Sequence, residues 1–132
     1  MKKTVQARKQ RKARYDAPMH IRKKLMNVHV SKSLRAKLGT TRRSMLVKKG
    51  DKVKVTTGKY KGKSGPVMEA DYSSLKVYVE GVVVKNSKGI EKLVPMQPSN
   101  LEILEGDFNS KDRKAMLERS TKLAASGVAK KG

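Results

Sequence analysis

The residues best suited to chemistry lie between positions 58 and 65: Gly58-Lys59-Tyr60-Lys61-Gly62-Lys63-Ser64-Gly65. Lysines at every second position, set among glycines, are poor material for acid–base catalysis and good material for holding a polyanion. Glycine admits positive φ and lets another backbone approach closely. Backbone amides exposed in such a loop, beside Lys59, Lys61 and Lys63, suit a phosphate chain. Tyr60 can stack on a base or sugar, or pack on the protein itself.

Other reactive groups are sparse. His20 and His29 stand nine residues apart in a basic neighbourhood, and the chain has no cysteine. A disulfide scaffold, a thiolate zinc site and a cysteine nucleophile are therefore excluded. The acids are scattered singly, apart from pairs such as Glu69 with Asp71. Asp51, beside Gly50 and before an alternating segment, reads as a turn former. An enzyme acting on nucleic acid needs an acid cluster or an acid–base pair. The expectation is no catalytic residue, no metal, no cofactor and no small-molecule substrate. Met1-Lys2-Lys3 resembles the start of a secretion signal, but Val5 and Ala7 sit among Arg8, Lys9, Arg11 and Lys12. With no apolar h-region and no run near the ~20 residues of a membrane span, neither a signal nor a membrane partner is expected.

Charge supplies the strongest single constraint. The 132 residues carry 33 Lys+Arg against 11 Asp+Glu, a formal net charge of +22. A chain this small cannot bury that surplus, so a polyanion must neutralise it, and nucleic acid is the leading candidate. Residues 1–50 hold 17 Lys+Arg and a single acid, Asp16, whereas residues 51–105 hold 9 and 7. The first third is thus a cationic arm and the middle has an ordinary balance. RNA contacts are expected from Arg8, Arg11 and Arg14, from Arg22, Lys23 and Lys24, and from Lys32 and Arg35. Arg42, Arg43, Lys48 and Lys49 continue the series, which ends in the loop at Gly58, Lys59, Tyr60, Lys61, Gly62 and Lys63. Arg22, Arg35, Arg42 and Arg43 are favoured over lysines because guanidinium forks fit phosphate and stack on bases. Ser44 can either contact RNA or cap a turn.

These groups need elements to position them. Residues 1–14 lack the apolar material to offset ordering entropy, and are expected to be disordered or helical only against an anion. Pro18 can open a helix carrying Ile21, Leu25 and Val28 on one stripe. Ser31 as N-cap and Gly39 as terminator bound a short helix over 32–38. From residue 51 the period changes to two: Val53 and Val55, then Val67 to Ala70, then Leu75, Val77 and Val79. Val82 to Val84, Leu93-Val94 and Leu101 to Ile103 follow, with turns at 71–74 and 86–89. About five short strands in some 55 residues predict a small, strongly bent antiparallel barrel. Met26, Met68 and Met116 are expected to fill gaps in the core. Ser110 can cap a last helix of roughly 111–125 ended by Gly127, with Glu118 and Lys122 in favourable order and Leu123 adding apolar surface. That helix is expected to be docked on a partner or loosely held.

The stretch from Val47 to Val67 resembles the KOW motif of nucleic-acid-associated SH3-like barrels. Arg43-Ser44-Met45, Gly50-Asp51, the glycine–lysine loop, Val79-Glu80-Gly81-Val82 and Pro98-Ser99-Asn100 fall in the order of one family. Ala17-Pro18-Met19-His20, Ser31-Lys32-Ser33-Leu34-Arg35 and Asp112-Arg113-Lys114 with Leu117-Glu118-Arg119 extend the match. The family that these residues resemble is large-subunit ribosomal protein L twenty-four of archaeal type, whose eukaryotic counterpart is L twenty-six. The resemblance covers about residues 10–120; Met45 departs from it, standing where the family usually has proline. It implies a mainly β fold in three parts: a basic helical arm over 1–46, a five-stranded SH3-like KOW barrel over 47–105 and a helical extension over 106–132. It further implies a structural component of the cytoplasmic ribosome that binds large-subunit rRNA in the 5′ domain and helps start subunit assembly. Its place would be beside the polypeptide exit tunnel mouth, among neighbouring large-subunit proteins. The alternative is a KOW-containing transcription elongation factor, but such factors usually carry an α/β domain where this chain has its cationic arm.

Overall fold

The computed structural model describes residues 4–129, with side-chain environments as far as Ser120. Among the described residues, helices and strands follow one another as α1 (Ala7–Tyr15), α2 (Met19–Leu25), β1 (Asn27–Val30), α3 (Lys32–Leu38), β2 (Ser44–Leu46), β3 (Lys52–Val55), β4 (Ser64–Asp71), β5 (Lys76–Val79), β6 (Val83–Lys85), β7 (Glu91–Leu93), β8 (Leu101–Glu105) and α4 (Lys111–Ala129). A 3-10 turn, Pro98–Asn100, leads into β8.

Six strands form one sheet in the order β2-β1-β8-β3-β4-β5, and β6 pairs only with β7 among the described residues. The protein is β-rich with a C-terminal helix, but the described strands do not close into the expected five-stranded barrel. β2 and β5 are the two ends of the sheet, with no ladder between them. The segment that could extend β5 meets it at one bridge, Val77 with Met96. Pro95 and Pro98 flank that bridge, and proline has no N–H to lengthen a ladder.

Alternation explains the core. Val53 and Val55 are fully buried while Lys52 and Lys54 are exposed, as period-two geometry requires. Val77 and Val79 of β5 are buried and alternate with half-buried Lys76 and Tyr78, and Val67, Leu101 and Ile103 complete the inner face. Each such aliphatic side chain contributes about 1.5–3 kcal/mol on burial. Met26 belongs to this core, Met116 packs at its margin, and Met68 stands outside it at 44% exposure. Met68 lies in the β4–β5 register shift between Val67 and Glu69, one residue out of phase with buried Val67.

The arm differs most from its sequence reading. The helix opened at Pro18 stops at Leu25, and Val28 lies in β1 rather than on a helical stripe. Val28 and Val30 also alternate, and as β-branched residues they favour the strand. β1 pairs antiparallel with β2 and parallel with β8, which puts both arm strands in the main sheet. Met45 of β2 is fully buried opposite Val28. α3 follows its boundary residues: the Ser31 hydroxyl accepts from the Leu34 N–H at 3.2 Å and Gly39 ends it. α1 is helical and buries no residue.

α4 runs through Gly127 to Ala129, and Lys122, the partner expected for Glu118, lies with Leu123 outside the described side chains. Its first turns dock on this chain's own sheet. Arg113 is 1% exposed and meets Asp51, itself 2% exposed, in a two-pronged ion pair. One terminal nitrogen donates to Asp51 Oδ1 at 2.9 Å and the Asp107 carbonyl at 2.8 Å. The other donates to Asp51 Oδ2 and the Leu46 carbonyl. Ser120 and Thr40 share a buried hydroxyl contact of 2.6 Å further along the helix. Asp51 is therefore more than a turn former: it also accepts from the Lys48 N–H and carries the anchor of α4.

Candidate nucleic-acid interface

The glycine–lysine loop joins β3 to β4 and projects from the sheet. Its base is closed on Val55, whose N–H donates to the Lys63 carbonyl at 2.8 Å and whose carbonyl accepts from the Gly62 N–H at 2.9 Å. Gly62 makes that closure at φ +90°, a region L side chains rarely enter. Gly65, the next glycine, serves a different need. A Cβ there would stand 2.6 Å from the Glu80 carbonyl oxygen, so the approach of β4 to the end of β5 requires its absence.

The expectation of exposed amides holds for only part of the loop. The N–H groups of Lys61, Gly62 and Lys63 donate internally, to Gly58, Val55 and Tyr60 carbonyls. Among the described residues, those of Gly58, Lys59 and Tyr60 have no internal acceptor. Lys59 and Lys61 are exposed. Lys63 Nζ lies 5.4 Å from the Tyr60 ring centre and 3.3 Å from the Gly81 carbonyl. Tyr60 is half-buried against the core, and its hydroxyl donates to the Val83 carbonyl at 3.5 Å. The Tyr60 hydroxyl thus ties the loop to β6, while its ring face meets Lys63.

The arm's cations gather in two further places. Arg11, Arg14 and Arg22 meet around Tyr15, Ser73, Ser74 and Leu75 in a recess of about 380 Å³. Arg22 is largely engaged there: Nε donates to the Ala17 carbonyl at 2.8 Å, and its terminal nitrogens donate to the Ser73 and Tyr15 carbonyls. That leaves about two of its five N–H donors for an outside partner. Asp71 shapes the same turn. Its carboxyl is held below the ordinary value of 3.8, first by the Ser74 hydroxyl and then by the Ser73 and Ser74 amides. Lys23, Lys24 and Arg42 gather in a groove of about 280 Å³ floored by Leu46 and Met116. Arg119 of α4 completes that groove and is absent from the sequence expectations.

The remaining expected contacts stay apart. Arg8 lies on the outer side of α1 with Lys9 and Lys12. Lys32 is exposed on α3, and Arg35 is half-buried with Nε unpaired among the described residues. Arg43 and Lys49 lie away from both recesses, near the ends of β2 and of the turn that follows it. Ser44 sits in β2 opposite His29. Lys48 turns inward, its ammonium 2.9 Å from the Ser110 hydroxyl. Among the described residues no three His, Asp or Glu side chains group as metal ligands, and no helix is long and apolar enough to cross a membrane.

A positively charged loop, two cationic recesses and a C-terminal helix pinned through Asp51 characterise the molecule. The model of one family, the eukaryotic ribosomal proteins L twenty-six with their archaeal L twenty-four counterparts, matches residues 4–120. The chain belongs to this family. As a member it is a structural component of the large ribosomal subunit and works in translation. The family is structural rather than catalytic, and rRNA binding is typical of it. The match takes in α1 at one end and Ser120 at the other, so the cationic arm and the start of α4 are parts of the family pattern along with the sheet.

Proposed function

We propose that this ribosomal protein binds large-subunit rRNA in its 5′ domain, helps start subunit assembly, and lies beside the exit tunnel mouth in the cytoplasmic ribosome among neighbouring large-subunit proteins. The observation that carries the RNA reading is the loop at 58–63. It has two exposed lysines, a third beside Tyr60, and three backbone N–H groups without an internal acceptor among the described residues. Its position after β3, at the place of a KOW loop, supports treating β3 to β8 as a KOW unit related to SH3-like barrels. Lys59, Lys61 and Lys63 meet phosphates, the clusters around Arg14 and Arg42 extend the track, and counterion release drives association. Shape, rather than base sequence, dominates recognition of helical RNA.

A salt titration tests the reading. The full chain is bound to the 5′ domain of large-subunit rRNA and, in parallel, to a length-matched unrelated structured RNA. Preference for the 5′ domain that survives moderate salt is expected. Equal binding to both, lost together as salt rises, would leave only nonspecific charge.

A further inference from the structure

One recess differs from the two cationic ones in the kind of polar group it presents, though it shares Arg14 with the first and Asn27 with the second. It lies where α1, the end of α2, the start of β1 and the 3-10 turn meet, and its volume is about 430 Å³. Pockets for small ligands span about 300–1,000 Å³. Leu25 and Pro98 supply apolar wall, and Pro98 is buried. Arg14 is the charged residue of its described lining. The other main groups are carboxamides, Gln10, Asn27 and Gln97.

The amides matter because each offers a donor and an acceptor side by side. Lysine and arginine offer donors only, and on RNA they chiefly meet phosphate, which carries no sequence information. Asn27 and Gln97 are half-buried, and neither side chain has a hydrogen-bond partner among the described residues. Gln10 donates its amide N–H to the Thr4 carbonyl at 2.8 Å, which leaves its oxygen available. Backbone holds these groups in place. Asn27 is registered opposite Leu46 at the start of β1, and the Gln97 carbonyl accepts from the Asn100 N–H at 3.0 Å. Carboxamides pair in two-pronged fashion with base edges, and bases drawn out of a stack pack on flat or apolar side chains.

We propose that this recess takes one unstacked RNA nucleotide, its base against Leu25 and Pro98, its edge read by Asn27 and Gln97, and its phosphate met by Arg14. The inference rests on the RNA-binding reading above and adds to it a point of base recognition. The loop at 58–63 supplies affinity without sequence, whereas the recess fixes register on the RNA.

The test uses the full chain and the 5′ domain of large-subunit rRNA. Affinity across salt and chemical reactivity of base edges are measured for wild type, for Asn27→Ala with Gln97→Ala, and for Asn27→Leu. The leucine keeps the approximate size of Asn27, removes its donor and acceptor and adds no charge, so it serves should the double variant fold poorly. Weakening by about 10-fold or more is expected, with an unchanged salt slope and one or a few bases regaining reactivity. In a second arm, the four nucleoside monophosphates and inorganic phosphate are titrated against the Asn27 and Gln97 side-chain amide resonances. At least one nucleotide should shift both, and phosphate should shift neither. Affinity within about twofold and an unchanged reactivity pattern, with wild type binding normally, would overturn the recess while the functional reading stands. A salt slope that falls with the variants would also overturn it, since the contact would then be to phosphate. Wild type that shows no preference for the 5′ domain removes the functional reading and this one with it.

Discussion

Arg113 and Arg22 lie inside the fold's hydrogen-bond network, whereas Lys59 and Lys61 face solvent, and the formal charge of each is the same. Arg113 is 1% exposed and bonded to a carboxylate and two backbone carbonyls. Arg22 bridges three carbonyls that tie α1, α2 and the Asp71 turn together. The loop lysines hold nothing in place except where Lys63 leans on Tyr60 and Gly81. The difference teaches that a cation count does not measure an RNA interface. At Arg113 and Arg22 the guanidinium satisfies several acceptors at once and is drawn inward, whereas the compact ammoniums of Lys59 and Lys61 stay hydrated at the surface.

The sharpest way to break the contrast is to remove the buried partner. Asp51→Ala leaves the Arg113 charge without its carboxylate, and a loss of about 3–5 kcal/mol is expected. Thermal unfolding would show it as a large drop in Tm, with α4 released first. A loss under about 1 kcal/mol would mean that the ion pair does not hold α4 to the sheet. Next comes Gly65→Ala, whose Cβ would meet the Glu80 carbonyl at 2.6 Å. About 1–3 kcal/mol of destabilisation is expected, with the RNA salt slope intact, because the clash lies between β4 and β5. If the slope changed as well, loop position and strand packing would be coupled.

The opposite pattern is expected for Lys59→Ala, Lys61→Ala and Lys63→Ala combined. Tm should hardly move, and the slope of log affinity against log salt should flatten by about 1–3 units. The smallest effect concerns Asp71. Its folded value is lowered, so its contribution is present above the ordinary carboxylate value and is lost as pH falls through the lower folded one. Hydrogen exchange at the Ser73 and Ser74 amides should speed up in that acid window beyond the trend of other turns. Exchange that followed the common trend would mean the carboxylate does not order the turn.

Much of the sheet is legible in the sequence because period two is a local signal. Val53, Val55, Val77 and Val79 announce their strands without help from the rest of the chain. α3 is equally legible, since Ser31 and Gly39 act within a few residues of themselves. β1 is not, because the stripe of Ile21, Leu25 and Val28 satisfies a helix as well as Val28 and Val30 satisfy a strand. Pairing with β8, far along the chain, decides between them. The net +16 over residues 1–50, 17 cations less one acid, likewise hides that Val28, Val30 and Met45 are core residues. The Asp51–Arg113 pair spans 62 positions, yet the sequence holds a trace of it. Asp51 stands in phase with Val53 and Val55, on the side of the strand that faces inward, and a carboxylate there needs a cation beside it. Of the residues proposed to face RNA, the loop is legible from composition alone. The grouping of Lys23, Lys24 and Arg42 with Arg119 is not, because it needs α4 folded back on the sheet.

The most direct measurement compares the salt slope of 5′-domain rRNA binding for wild type, the triple lysine variant and Arg22→Met. The expected result is a slope flattened by about 1–3 units for the lysine variant and by less than about one unit for Arg22→Met, with a lowered Tm for Arg22→Met alone. A slope lost to Arg22→Met and kept by the lysine variant would contradict the division of labour between inner and outer cations.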